Sequence, residues 1–322
     1  MRPLIIDCDP GIDDSVAIAF ALGSGAFDLK AITTVSGNLT ANFCSRNARQ
    51  VLDYFGAPDI PVSEGPLKPL VRPYPRDPFS HGSDGLAELT LPESRRVLDP
   101  RFAPDVIIEA ANAHPGTLEI AALGPLTNLA LAVIKDPSLP KKVAKVSAIA
   151  GAFGFQTYGS SRATGDNPAS EWNVYVDPEA AQIVFEAGFN LTALGLDVGT
   201  HPKLTLDAAQ RQKLAASGVP AARFLLGVLD FVERRGFGAY CGLIDSTAIA
   251  HLLRPDLFTI ETIRVIVERQ STLSAGQTIV ERRENFAWDG LASITAASDA
   301  KFAELTEILV DSLIATGTKK AS

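Results

Sequence analysis

Leu4-Ile5-Ile6-Asp7-Cys8-Asp9-Pro10-Gly11-Ile12-Asp13-Asp14 sets four aspartates within eight residues. Leu4 to Ile6 is an apolar run that predicts a buried strand. Pro10-Gly11 predicts a turn, and the alanine-containing stretch Ser15 to Leu22 predicts a helix. The acids therefore gather at a strand's carboxyl end, the edge at which open α/β sheets bind ligands.

Residues two apart on a strand share a face, so Asp7 and Asp9 are expected to project together, with Asp13 and Asp14 folding back from the start of the helix. Like charges packed that closely need compensation, and a divalent cation supplies it with the fewest extra parts. All-oxygen donors favour a hard ion such as calcium or magnesium. The alternative reading makes Asp13 or Asp14 a helix cap and the others turn residues.

The chain has 322 residues, 46% of them hydrophobic and 20% charged, as in ordinary water-soluble proteins. A net charge of −8 disfavours nucleic-acid polymers and leaves small neutral ligands unopposed. No basic segment followed by a long apolar one opens the chain, and no run of about eighteen apolar residues occurs, so neither a signal peptide nor a membrane span is expected. Cys8, Cys44 and Cys241 lack zinc-type spacing, which agrees with a reducing, cytoplasmic setting.

Strand-like segments recur near Leu4 to Ile6, Leu29 to Val35, Leu118 to Leu123, Val143 to Ala150, Leu191 to Leu196 and Ile260 to Val267. Helix-like segments lie between them at Ser15 to Leu22, Ala41 to Phe55, Pro104 to Ala113, Thr127 to Ile134 and Pro178 to Ala187. This alternation predicts an α/β fold: a single open, mainly parallel sheet with helices on both faces. Residues 1–315 read as one domain and 316–322 as a flexible tail. The glycine-rich stretches 61–90 and 151–170 interrupt the alternation and are expected to rim a pocket.

The opening run resembles the fingerprint of the nucleoside hydrolase family, the inosine-uridine preferring nucleoside N-ribohydrolases. Collinear matches follow at Thr33-Thr34-Val35-Ser36-Gly37-Asn38, Gly124-Pro125-Leu126-Thr127-Asn128, Glu171 through Ala181 and Gly276-Gln277-Thr278, so the resemblance runs from about residue 3 to 315. It implies a Rossmann-like nucleoside hydrolase fold, usually assembled as a homodimer or homotetramer. It also implies Ca2+ held by Asp9, Asp14, Asp245 and the main-chain carbonyl of Leu123, with Asp13, Asn38, Glu171 and Asn173 gripping the ribose of a ribonucleoside. Cleaving an N-glycosidic bond builds positive charge on the sugar, which carboxylates stabilise more than they stabilise the neutral substrate. In this reading Asp9 takes the proton of the attacking water.

Two departures stand out. Where many members carry His-Asp, this chain has Ile244-Asp245, and the missing histidine is the one associated with protonating the departing base. His81, Trp172, Tyr240 and Cys241 are the base-side candidates, Trp172 by stacking on a purine, although a buried tryptophan is more often core. Thr164-Gly165-Asp166-Asn167-Pro168 runs one residue short of the family interval to Glu171, and Asn167, rather than Asp166, is the expected contact to the 5′-hydroxyl. Without its histidine the chain has an alternative reading as a nucleoside- or ribose-binding protein with little turnover. A phosphotransferase of the haloacid-dehalogenase type also begins strand-Asp-x-Asp, but Gly11 stands where that motif wants Thr or Val.

Overall fold

The computed structural model describes residues 1–75, 80–157, 162–285 and 287–317. The chain runs β1 (Arg2–Cys8), α1 (Ile12–Ser24), β2 (Phe27–Thr34), α2 (Ala41–Tyr54), β3 (Val62–Glu64), α3 (Ala103–Ala113), β4 (Leu118–Ala122), α4 (Thr127–Lys135) and β5 (Val143–Ala148). It continues through α5 (Trp172–Val176), α6 (Pro178–Glu186), β6 (Leu191–Ala193), α7 (Leu196–Gly199), α8 (Ala208–Ser217), α9 (Pro220–Arg234) and α10 (Ser246–Leu253). It ends with β7 (Phe258–Val267), β8 (Thr278–Glu281), β9 (Ala292–Ala300) and α11 (Phe302–Ala315). Of the expected tail, residues 318–322 lie outside the described residues.

The strands form one sheet in the order β3-β2-β1-β4-β5-β6-β9-β7-β8. Pairing is parallel from β3 to β9, and β7 is antiparallel to both β9 and β8. The mainly parallel α/β sheet read from the alternation is what forms. From β1 the chain moves to one side for β2 and β3, then returns to the other side of β1 with β4. A crevice opens where the winding reverses, between the carboxyl ends of β1 and β4. Asp9 leaves one of those ends and Leu123 the other.

β1 shows how the sheet acquires two apolar faces. Leu4 and Ile6 pack with Val16 and Phe20 of α1, whereas Ile5 packs with Ile107 and Leu129 on the opposite face. All three β1 side chains are fully buried, as a strand covered by helices on both sides requires.

Three strands and four long helices were not expected. β9, Ala292-Ser293-Ile294-Thr295-Ala296-Ala297-Ser298-Asp299-Ala300, is built largely of small residues and lacks the β-branched signature; its neighbours β6 and β7 hold it in the sheet. Two expected strands also stop early. β5 ends at Ala148 and β6 at Ala193, because the residues beyond them turn into the crevice.

α1 lies against α11 with no space between their backbones. A Cβ built on Gly23 would sit 1.8 Å from the carbonyl oxygen of Ser312. Alanine in a helix gains about 1 kcal/mol of intrinsic propensity over glycine, but overpacking against fixed backbone costs about 1–3 kcal/mol and more when neither side yields. Gly23→Ala is therefore expected to lower the urea midpoint, and an unchanged or raised midpoint would show that the two helices part freely.

Candidate active site

β1 ends at Cys8, so Asp9 lies beyond the strand and the two-residue periodicity stops applying. Asp7, still in the ladder opposite Thr33, accepts from Thr33 Oγ1 at 2.6 Å and Asn128 Nδ2 at 2.7 Å. It does not line the crevice, and the expectation that Asp7 and Asp9 project together is corrected on that ground.

Asp14 closes the turn. Its carboxylate accepts from the backbone N–H groups of Asp9 (3.1 Å) and Gly11 (3.0 Å), and from Asn38 Nδ2 at 3.2 Å. It does cap the helix start, and that same cap aims it at Asp9. Asp9 Oδ2 accepts from the backbone N–H of Asn38 at 2.6 Å. Two glycines allow the approach: a Cβ on Gly37 would lie 2.0 Å from Asp9 Oδ2, and one on Gly124 2.5 Å from Asp9 Oδ1.

Asp245 enters from the N-terminus of α10 and Glu171 from that of α5. Oxygen atoms of Asp13, Asp14 and Asp245 come within 4.8 Å of one another. Asp13, which the resemblance put on ribose, is thus part of the tightest acidic cluster, and Asp9 adjoins it through Asp14. Asp9 and Asp245 are pushed well above the carboxylate range, by burial first and then by the neighbouring aspartates. Among the described residues no lysine or arginine is ion-paired with Asp9, Asp14 or Asp245. Buried, all-oxygen and lacking an internal counter-charge, these residues fit a hard divalent cation.

Glu171 accepts from the N–H groups of Asn173 (2.8 Å), Val174 (3.0 Å) and Gly151 (3.1 Å), and burial still pushes it up to about 7. Asn173 Nδ2 donates to the Leu123 carbonyl at 2.6 Å and the Ile149 carbonyl at 2.9 Å, which ties together the chain emerging from β4 and β5.

These groups form one end of a cavity of about 410 Å³, within the range that holds small ligands. His81, Trp172, Tyr240, Cys241 and Ile244 also line it, with Ser80 and His81 coming from one expected rim loop and Arg162, Ala163 and Thr164 from the other. His81 Nδ1 accepts from the Ile12 N–H at 3.1 Å and lies 3.7 Å from Asp13 Oδ1. When neutral the ring therefore carries its proton on Nε2. Trp172 is half-buried and stacks on Tyr175 at 5.8 Å, and Cys241 is held as a thiol, pushed up to about 12 chiefly by burial. Asn167 is not in the wall: its amide accepts from Ser170 Oγ at 2.9 Å and donates to the Ala275 carbonyl at 2.9 Å, so it fastens a loop. Sequence reasoning passed over Ile12, Arg162 and Phe237, which also line the cavity; the arginine inside the flagged loop was the available signal.

A profile of the family described as inosine-uridine preferring nucleoside hydrolase matches residues 4–307. The chain belongs to that family. It is 38% identical over 287 residues to an inosine-uridine preferring nucleoside hydrolase of Leishmania major, covering 88% of each chain. It is equally 38% identical over 291 residues to a pyrimidine-specific ribonucleoside hydrolase of Citrobacter koseri, covering 87% of this chain and 88% of that one. Among solved structures, a purine-preferring ribonucleoside hydrolase from Gardnerella vaginalis superposes with a TM-score of 0.85 at 27% identity over 98% of this chain and 99% of that one. This nucleoside hydrolase family member is thus an enzyme of the class that hydrolyses N-glycosyl compounds.

The site's burial has a consequence for stability. Burial pushes both Asp7 and Glu171 up to about 7, whereas unfolded they titrate near about 4. Between those values the folded chain holds more protons than the unfolded one, so this contribution is complete at acidic pH and is lost as pH rises toward 7. In chelator, Tm by calorimetry is expected to be lower at pH 7 than at pH 5, with a shallower slope in Asp7→Asn. A steeper slope in that variant would contradict the assignment.

Proposed function

We propose that this protein hydrolyses the N-glycosidic bond of ribonucleosides to ribose and free base, with Ca2+ as its metal. The observation that supports it most is the convergence of Asp9, Asp13, Asp14 and Asp245 beside a nucleoside-sized cavity whose walls also carry His81, Trp172 and Tyr240. Asp9, Asp14, Asp245 and the Leu123 carbonyl would hold the cation. When bound, it supplies Lewis-acid charge to a water and to the sugar's vicinal hydroxyls.

The remaining work falls to side chains. Asp13, Asn38, Glu171 and Asn173 offer the donors and acceptors that fix ribose hydroxyls. As the C1′–N bond lengthens, the clustered carboxylates stabilise the positive charge growing on the sugar. Asp9 takes the proton of the water that attacks C1′, and its upward shift is the direction that makes a carboxylate a usable base near neutrality. His81, presenting Nε2–H, and the rings of Trp172 and Tyr240 face the base.

Incubation with inosine, adenosine, guanosine, uridine and cytidine in calcium should release reducing sugar from at least one. Silence toward all five, with calorimetry showing an intact nucleoside bound, would favour a binding protein, the reading that Ile244 at the cavity wall suggests. Asp9→Ala and Asp245→Ala should each lose at least 10³-fold in kcat, on the scale expected for removal of a base or metal ligand. Near-wild-type turnover by either variant would remove that residue from the machinery.

A further inference from the structure

Heterolysis of a glycosidic C–N bond creates two charges. The electron pair stays on the departing nitrogen, so the base becomes negative as the sugar becomes positive. Carboxylates serve the second charge and oppose the first. Ile244, at the wall where the resemblance placed a histidine, has no proton to give.

Arg162 faces that same cavity. Its guanidinium lies over the Tyr240 ring, 4.9 Å from the centroid, and Nη1 donates to the Thr200 carbonyl. Tyr240 is itself seated by Gly238, where a Cβ would lie 2.4 Å from the ring. A stacked, hydrogen-bonded guanidinium keeps one orientation and remains charged at every working pH. Asp9, Asp13 and Asp245 line the same cavity. Acidic side chains and a guanidinium therefore share one cavity.

Resting on the hydrolase reading, we infer that Arg162 is a catalytic residue that stabilises the leaving base as an anion and biases the enzyme toward nucleosides of oxo-bases such as uracil. The C1′–N bond breaks with its electron pair on the base nitrogen, and the water oxygen bonds to C1′ as its proton passes to Asp9. The anionic base leaves beside the guanidinium and is protonated by solvent. Uracil, with two carbonyls to spread the charge, gains from this arrangement. Adenine and cytosine, which leave best when protonated, do not.

The test compares uridine, cytidine and 4-nitrophenyl β-ribofuranoside, whose phenolate departs without help, in wild type, Arg162→Gln and Arg162→Lys. Wild type should turn over uridine faster than cytidine. Arg162→Gln should lose about 100-fold in kcat on uridine, the scale of one removed oxyanion donor, and less than about threefold on the phenyl riboside; Arg162→Lys should regain at least about tenfold. Equal losses on uridine and the phenyl riboside would make Arg162 a support for its loop, and no loss would make it a bystander. Arginine-dependent preference for uridine 5′-monophosphate would make it a phosphate seat. Each of these overturns the inference alone, whereas a wild type inert toward all substrates overturns the hydrolase reading and this inference with it.

Discussion

Burying like charges beside one another is the constraint around which this molecule is arranged. Asp9, Asp14 and Asp245 are between 0% and 4% exposed, and a carboxylate removed from water is tolerated only where donors or cations replace its hydration. The fold supplies donors first. Asp14 takes three, from Asp9, Gly11 and Asn38, and Asp9 takes the N–H of Asn38. The N-termini of α1 and α10 meet at the cluster, where the unpaired N–H groups of a helix carry partial positive charge. Those measures lower the cost without cancelling it, as the upward shifts of Asp9 and Asp245 show. The remaining deficit is one that a bound cation would offset.

Accommodating that cluster dictates details elsewhere. Gly37 and Gly124 come from different turns, yet each has the same reason to be glycine, since a methyl group on either would strike the Asp9 carboxylate. Glu171 and Asn173 spend most of their polar atoms on backbone, holding the residues after β4 and β5 in place before any sugar arrives. Preorganisation of this kind matters because a site that must rearrange to meet charge loses the benefit of meeting it. Arg162, Trp172 and Tyr240 line the same cavity as these acids.

Much of the candidate site was legible before any coordinates. Asp9, Asp13 and Asp14 fall in one turn, so their proximity is local, and alternating strand and helix patterns gave the parallel sheet. Asp245, more than 230 residues from Asp14 in the chain, was legible only through family likeness. Asp7 misled because the period of two was extended past the end of its strand. For Asn167, spacing reveals that an amide is near a site and not which atoms it will bond; here its amide bonds Ser170 and Ala275.

What the chain's order of residues determined by itself was local: a strand, a turn and a helix start that crowd acids together, and apolar periodicities that demand a covered sheet. Those outcomes depend on neighbours a few residues apart, whose geometry backbone sterics restrict to a small menu. Only the tertiary structure decided which carboxylates share a cluster, that Asp7 faces away, that Ala292 to Ala300 forms a strand, and that Arg162 stands on the cavity wall with Tyr240. Each of those depends on how distant segments pack, and burial and charge act through space without regard to separation along the chain.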